Sequence, residues 1–192
     1  MQDSDPRSLL IKIASVLERL KMSYFVTGGM AVTVWGRPRF TADIDIIIQM
    51  QFKDAETLEK TLSTISDASY IDIDSIRNAL NQYGEFNFID GESGMKVDFW
   101  ILKNTPFGMS QLKRRKTHLV LGKKIFFCAP EDLILSKLIW HKESPTGRQL
   151  DDVESILRIS KEKLDYKYLK NWAAKLDLEN ILNEVLKDSS QI

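Results

Sequence analysis

Cysteine is almost missing from this 192-residue chain: only Cys128 is present, so no disulfide closes within it. Its setting in Ile125-Phe126-Phe127-Cys128 marks it as a small core residue. Histidine is nearly as scarce, and His118 and His141 lie too far apart for the ligand spacing of a zinc site. The five prolines and nine glycines are scattered, which leaves no low-complexity tract or disordered linker. Neither sign of charge prevails: 27 basic and 27 acidic residues cancel, excluding a whole-surface attraction to nucleic acid or anionic membrane but not a local patch. No apolar run is long enough to span a bilayer and no signal-peptide pattern opens the chain, so the expectation is a cytoplasmic protein without a membrane partner. Walker loops, serine elbows and zinc clusters are likewise missing.

What is present is an ordinary globular composition, 43% hydrophobic and 28% charged, in enough chain for one substantial domain with a helical appendage. Asp5-Pro6 reads as a helix start, and Leu9, Leu10, Ile13, Val16, Leu17 and Leu20 repeat at helical spacing over residues 6–21. Residues 24–27 give a short strand, Gly28-Gly29 breaks it, and 30–35 form a short helix ended by Gly36. Ile44, Ile46, Ile47 and Ile48 dominate a β-branched strand, and helices follow over 54–65 and 72–83. Residues 86–89 and 95–102 read as strands around the turn 90–94; 118–121 and 124–127 form a hairpin about Gly122-Lys123. From Pro130 the pattern is helical, with about four helices. The expected fold is α+β: a mixed sheet with flanking helices over 1–128 and a helical region over 129–192 packed on it.

Aspartate interrupts two of these strands. Asp43 and Asp45 sit at i and i+2, so both project from one face while Ile44, Ile46 and Ile48 project from the other. Asp98 interrupts the later strand, whose opposite face is Met95, Val97, Phe99 and Ile101. Neighbouring carboxylates repel, and burying them unpaired is costly, so a hard divalent cation is the natural companion. If the two strands are neighbours, the three acids form one patch able to hold two metal ions for in-line attack at phosphorus. The plainer alternative is a solvated sheet face. Ile71-Asp72-Ile73-Asp74 has the same local spelling, but Ser75, Ile76, Arg77 and Leu80 follow at helical spacing, so an aspartate there caps a helix. Gly28-Gly29 stands where a strand turns into a helix and allows backbone to approach phosphate oxygens; alone it would be an ordinary turn.

Gly28-Gly29, Asp43-Ile44-Asp45 and Asp98, in that order, resemble the signature of the nucleotidyltransferase superfamily related to DNA polymerase beta. Gly28-Gly29-Met30-Ala31-Val32, the stretch from Arg39 to Asp45, Lys96-Val97-Asp98, the stretch from Pro130 to Leu138 and that from Arg148 to Val153 resemble the abortive-infection (AbiEii/AbiGii-type) toxin branch. The resemblance implies Mg²⁺- or Mn²⁺-dependent transfer of a nucleoside monophosphate from a triphosphate such as ATP to an acceptor hydroxyl on RNA, protein or a small molecule. It implies that Asp43 and Asp45 ligate metal, that Asp98 ligates metal and helps deprotonate the acceptor, and that Gly28, Gly29, Arg39 and Thr41 lie against the nucleotide. Lys137 and Asp152 resemble a second catalytic pair of the family. Lys137 either contacts phosphate or pairs with Asp152; Arg39 either faces phosphate or pairs with a carboxylate. A toxin-type role would bring tRNA or protein as acceptor and an antitoxin as partner. A catalytically silent nucleotide-binding module on the same fold is the alternative. Lys113-Arg114-Arg115-Lys116 reads as a solvated helix end before it reads as a tRNA contact, and His141 shares a helical face with Lys137.

Overall fold

The computed structural model describes residues 5–190. Helix α1 (Pro6–Arg19) opens on Asp5, whose carboxylate accepts the Arg7 amide, and buries Leu9, Leu10, Ile13, Ala14, Val16 and Leu17. Strand β1 (Ser23–Val26) leads into helix α2 (Gly28–Trp35), which starts two residues ahead of the expected Met30 because Gly28 itself makes the turn at φ +59°. Strand β2 (Asp43–Gln49), helices α3 (Ala55–Leu62) and α4 (Ile73–Gln82), and strands β3 (Glu85–Ile89) and β4 (Lys96–Ile101) follow. Asp72 caps α4 by accepting from the Ser75 amide at 2.8 Å, the role its spacing predicts. Helix α5 (Pro106–Arg114) is an element the hydrophobic pattern does not announce; Thr105 caps it with Pro106 in its first turn. The hairpin is β5 (Lys116–Val120) and β6 (Lys123–Phe127), and the four helices after it are α6 (Pro130–Glu143), α7 (Gly147–Ile159), α8 (Tyr166–Lys175) and α9 (Glu179–Ser190).

Six strands form one mixed sheet in the order β3-β4-β2-β1-β6-β5. Sequence neighbours β1/β2, β3/β4 and β5/β6 pair antiparallel, whereas β2/β4 and β1/β6 are parallel. One face is apolar: Ile44 opposes Val97, Ile46 opposes Phe99, and Ile48 opposes Ile101, all buried. Phe86 continues this layer by stacking on Phe99 with centroids 4.9 Å apart. α1 packs on β1 and β6, and α4 on β3 and β4. The alternation of β2, with isoleucines inward and aspartates outward, follows from that burial.

The chain divides into two compact units. The first runs to Met30 and resumes over Phe40–Phe127; the second comprises Ala31–Arg39 and Cys128–Ile192. In the second, α6, α7, α8 and α9 bury Leu133, Ile134, Leu138, Val153, Ile156, Leu169 and Leu182. Segment 31–39 is bound to these helices: the Trp35 indole donates to the Cys128 carbonyl at 2.9 Å, and Ser160 donates to the Trp35 carbonyl at 2.6 Å. Cys128 is buried and in no disulfide, as its apolar surroundings predict. Among the described residues no helix is long and apolar enough to cross a membrane.

Candidate active site

The polar face of the first unit is built by register. Parallel pairing sets Asp45 directly opposite Asp98 and Asp43 opposite Lys96, so all three acids occupy one face of β2 and β4. Antiparallel pairing of β3 then sets Asn87 opposite Asp98. Asp45, Asp98 and Asn87 therefore form a single row across three adjacent strands, and Asp43 stands one step along it. Asp98 is 7% exposed, while Asp43 and Asp45 are half-buried.

Lys96 brings a positive charge to this face. Its Nζ lies 2.9 Å from Oδ2 of Asp98. That hydrogen bond, with the charges of Asp98, Asp43 and Glu85, holds the ammonium above its ordinary pKa against the opposing pull of burial. Oδ1 of Asp98 is buried with no hydrogen-bond partner, and so is Oδ1 of Asn87. Gly28 completes the site from below: a Cβ there would come within 1.8 Å of Asp45 Oδ2 and 2.9 Å of Asp45 Cβ, so only glycine lets the strand end and the carboxylate coexist. Gly29 is buried in the first turn of α2, and the Thr41 hydroxyl donates to the Asp43 carbonyl at 3.3 Å.

The remaining expected residues gather in the second unit, around Asp152. Arg39 grips its carboxylate in fork geometry, Nε to Oδ1 and Nη2 to Oδ2, both at 2.8 Å. Lys137 Nζ approaches Oδ2 at 2.9 Å and lies 5.3 Å from the Trp140 ring centroid. Burial pushes the Asp152 carboxyl upward, but the hydrogen bonds and charges of Arg39 and Lys137 outweigh it and hold the group below the usual carboxylate range. Lys137 and Arg39 thus both form an ion pair with Asp152. Ser155 supports the cluster by donating to the Asp152 carbonyl at 2.9 Å and accepting the Arg37 amide at 3.2 Å.

The weaker signals fall elsewhere. Lys113 and Arg114 end α5, and Arg115 donates to the Leu112 carbonyl at 2.6 Å, so the basic cluster serves a helix terminus. His141 pairs through Nδ1 with the Thr146 carbonyl at 3.1 Å. The sequence assigns no role to Asn87 or Lys96, which lie beside the acids, or to Asp132, which is fully buried with Tyr168 donating to it at 2.6 Å. The alternation Phe86-Asn87-Phe88 was the available signal for Asn87.

No protein-family model matches the chain, and no curated protein matches it by sequence. Solved structures do. The antibiotic-resistance factor ANT(2'')-Ia, in a solution structure, superposes over 93% of this chain and 94% of its own with a TM-score of 0.60 at 15% identity. The chain has the nucleotidyltransferase fold. A crystal structure of ANT(2'')-Ia with adenylyl-2''-tobramycin gives a TM-score of 0.61 at 14% identity over 89% and 96% of the two chains. The lincosamide antibiotic adenylyltransferase LnuA, with lincomycin bound, gives 0.53 at 16% identity over 79% and 96%. An antigenic nucleotidyltransferase-like protein from Paracoccidioides brasiliensis gives 0.51 at 17% over 94% and 91%.

The donor set of the polar row has the chemistry that suits a hard divalent cation. Every oxygen in it is hard, and Asp98 keeps one buried oxygen unpartnered. Among the described residues, however, no three acidic, histidine or cysteine side chains are drawn together tightly enough to hold an ion as they stand; Lys96 takes part of the charge.

Proposed function

We propose that this chain is a metal-dependent nucleotidyltransferase that moves a nucleoside monophosphate from a triphosphate to an acceptor hydroxyl. One observation carries the reading: Asp45 and Asp98 are directly opposed on parallel strands, with Asp43 on the same face and a buried oxygen of Asp98 unsatisfied. A silent descendant would gain stability by replacing such residues. Asp43, Asp45 and Asp98 would hold the cation, and Mg²⁺ or Mn²⁺ there would supply positive charge against that of the phosphates. Asp98 takes the proton of the acceptor hydroxyl, whose oxygen forms a bond to the α-phosphorus as the bond to the pyrophosphate oxygen breaks. Gly28 and Gly29 bring the start of α2 to the triphosphate, and Thr41 steadies the entry to β2 through the Asp43 carbonyl. Arg39 and Lys137 are read as phosphate-contacting cations in addition to their pairing with Asp152.

A small hydroxylated molecule is the first acceptor class to test. ANT(2'')-Ia, solved with an adenylylated tobramycin, is spanned over 96% of its length, so a chain of this size suffices for nucleotide and small acceptor together. RNA or protein as acceptor, with an antitoxin as partner in the cytoplasm, rests on the motif wording alone. The deciding assay combines purified chain, Mg²⁺ and each of four α-labelled triphosphates with aminoglycosides, lincosamides, total RNA and a protein fraction. Label should pass to one acceptor class and fall about 10²–10³-fold in Asp45→Asn. Equal labelling by wild type and Asp45→Asn defeats the catalytic assignment; a thermal shift from Mg²⁺ and triphosphate without transfer favours the silent binding module.

A further inference from the structure

We propose that Asn87 is a further oxygen ligand of the cation site, beside the three aspartates. This rests on the metal-dependent reading above and adds a residue to it.

Asn87 lies between Phe86 and Phe88, which are 2% and 0% exposed on the apolar face of β3. Period-two alternation therefore sends Asn87 to the polar face, and the register puts it opposite Asp98. Its Oδ1 is buried and accepts no hydrogen bond; so is Oδ1 of Asp98. Burying an acceptor without a donor is costly, and here two such acceptors stand on opposed residues of one strand pair. Lys96, the nearby ammonium, is engaged with the other oxygen of Asp98. Two hard oxygens left without donors are what a divalent cation satisfies, and such ions take neutral amide oxygens together with carboxylates. A merely structural asparagine on an edge strand would turn its polar atoms to water or to backbone.

The amide also makes electrostatic sense. A fourth carboxylate in the row would add repulsion to a face that already carries three, whereas an amide adds a ligand without adding charge.

The test measures Mn²⁺ binding by the intact chain without nucleotide, by electron paramagnetic resonance titration, in wild type, Asn87→Leu, Asn87→Asp and Asp45→Asn. Asn87→Leu should weaken Mn²⁺ about tenfold. The near-isosteric Asn87→Asp should tighten it about tenfold, lower the melting temperature of the metal-free protein, and regain the loss when Mn²⁺ is added. Asn87→Asp keeps the volume of the side chain, so it answers the question even if Asn87→Leu misfolds by circular dichroism. Wild-type Mn²⁺ affinity in Asn87→Asp, with affinity lost in Asp45→Asn, overturns the role of Asn87 and leaves the acidic site standing. Unchanged affinity in Asp45→Asn as well, or no Mn²⁺ binding by wild type, overturns both.

Discussion

Asp152 and Asp98 are both aspartates, both almost buried, and both paired with a lysine at 2.9 Å, yet their surroundings differ in kind. Asp152 meets a second cation, Arg39, so that both of its oxygens are occupied. Asp98 spends one oxygen on Lys96 and leaves the other unsatisfied, with Asp45 opposite instead of an arginine. The first arrangement is closed and ties segment 31–39 to α7. The second is open, and its unpartnered oxygen is the one the proposed cation would use. Burial of a carboxylate thus says little by itself; the tally of its partners separates a structural pair from a place prepared for a ligand.

The largest effect that bears on this contrast is on stability. Asp152→Ala removes the buried carboxylate that Arg39 and Lys137 share and should cost about 3–5 kcal/mol in urea unfolding. Asp45→Asn, which relieves repulsion, should stay within about 1 kcal/mol of wild type or gain slightly. Equal losses in both would erase the distinction. Next comes Gly28→Ala, which combines φ +59° with a collision at Asp45 and should cost about 1–3 kcal/mol, with loss of any transfer activity.

Acidity sharpens the comparison further. The Asp152 carboxyl titrates lower in the folded chain than the ordinary value of about 3.9 in the unfolded one. Below about pH 4 the unfolded state therefore binds more protons, and the stability that Asp152 contributes, complete above that pH, drains away as pH falls through its folded value. The stability gap between wild type and Asp152→Asn should accordingly be constant from about pH 5 to 7 and narrow below about pH 4; a constant gap down to about pH 2 would contradict the depressed value. The smallest expected effect is a few-fold tightening of Mn²⁺ by Lys96→Met, roughly 1 kcal/mol, as a competing positive charge leaves. Weaker Mn²⁺ binding in that variant would mean the lysine props the acids open instead of competing for them.

Much of this was legible in the chain itself because it depends on local periodicity. The parity of Asp43 and Asp45 follows from strand alternation, and the capping role of Asp72 from the helical spacing behind it. The mixed α+β order and the four terminal helices follow in the same way. What depends on register was hidden. Nothing near Phe86-Asn87-Phe88 discloses that its middle residue will oppose Asp98, since the turn 90–94 and the pairing of β3 settle that. The Arg39–Asp152 fork joins residues 113 apart, and no local rule anticipates it. Helix α5 was missed for another reason: Thr105-Pro106 carried a start signal, but too few apolar residues follow at regular spacing to draw notice.

The parallel pairing of β2 with β4 carries a consequence for the timing of activity during biosynthesis. Asp45 and Asp98 come from strands that are far apart along the chain, and a slip of one residue would turn Asp98 toward the isoleucines. A ribosome-bound chain that has not yet released β4 owns two of the three acids and lacks the strand that sets Asp98 opposite Asp45. The activity proposed above would therefore wait until β4 has been made.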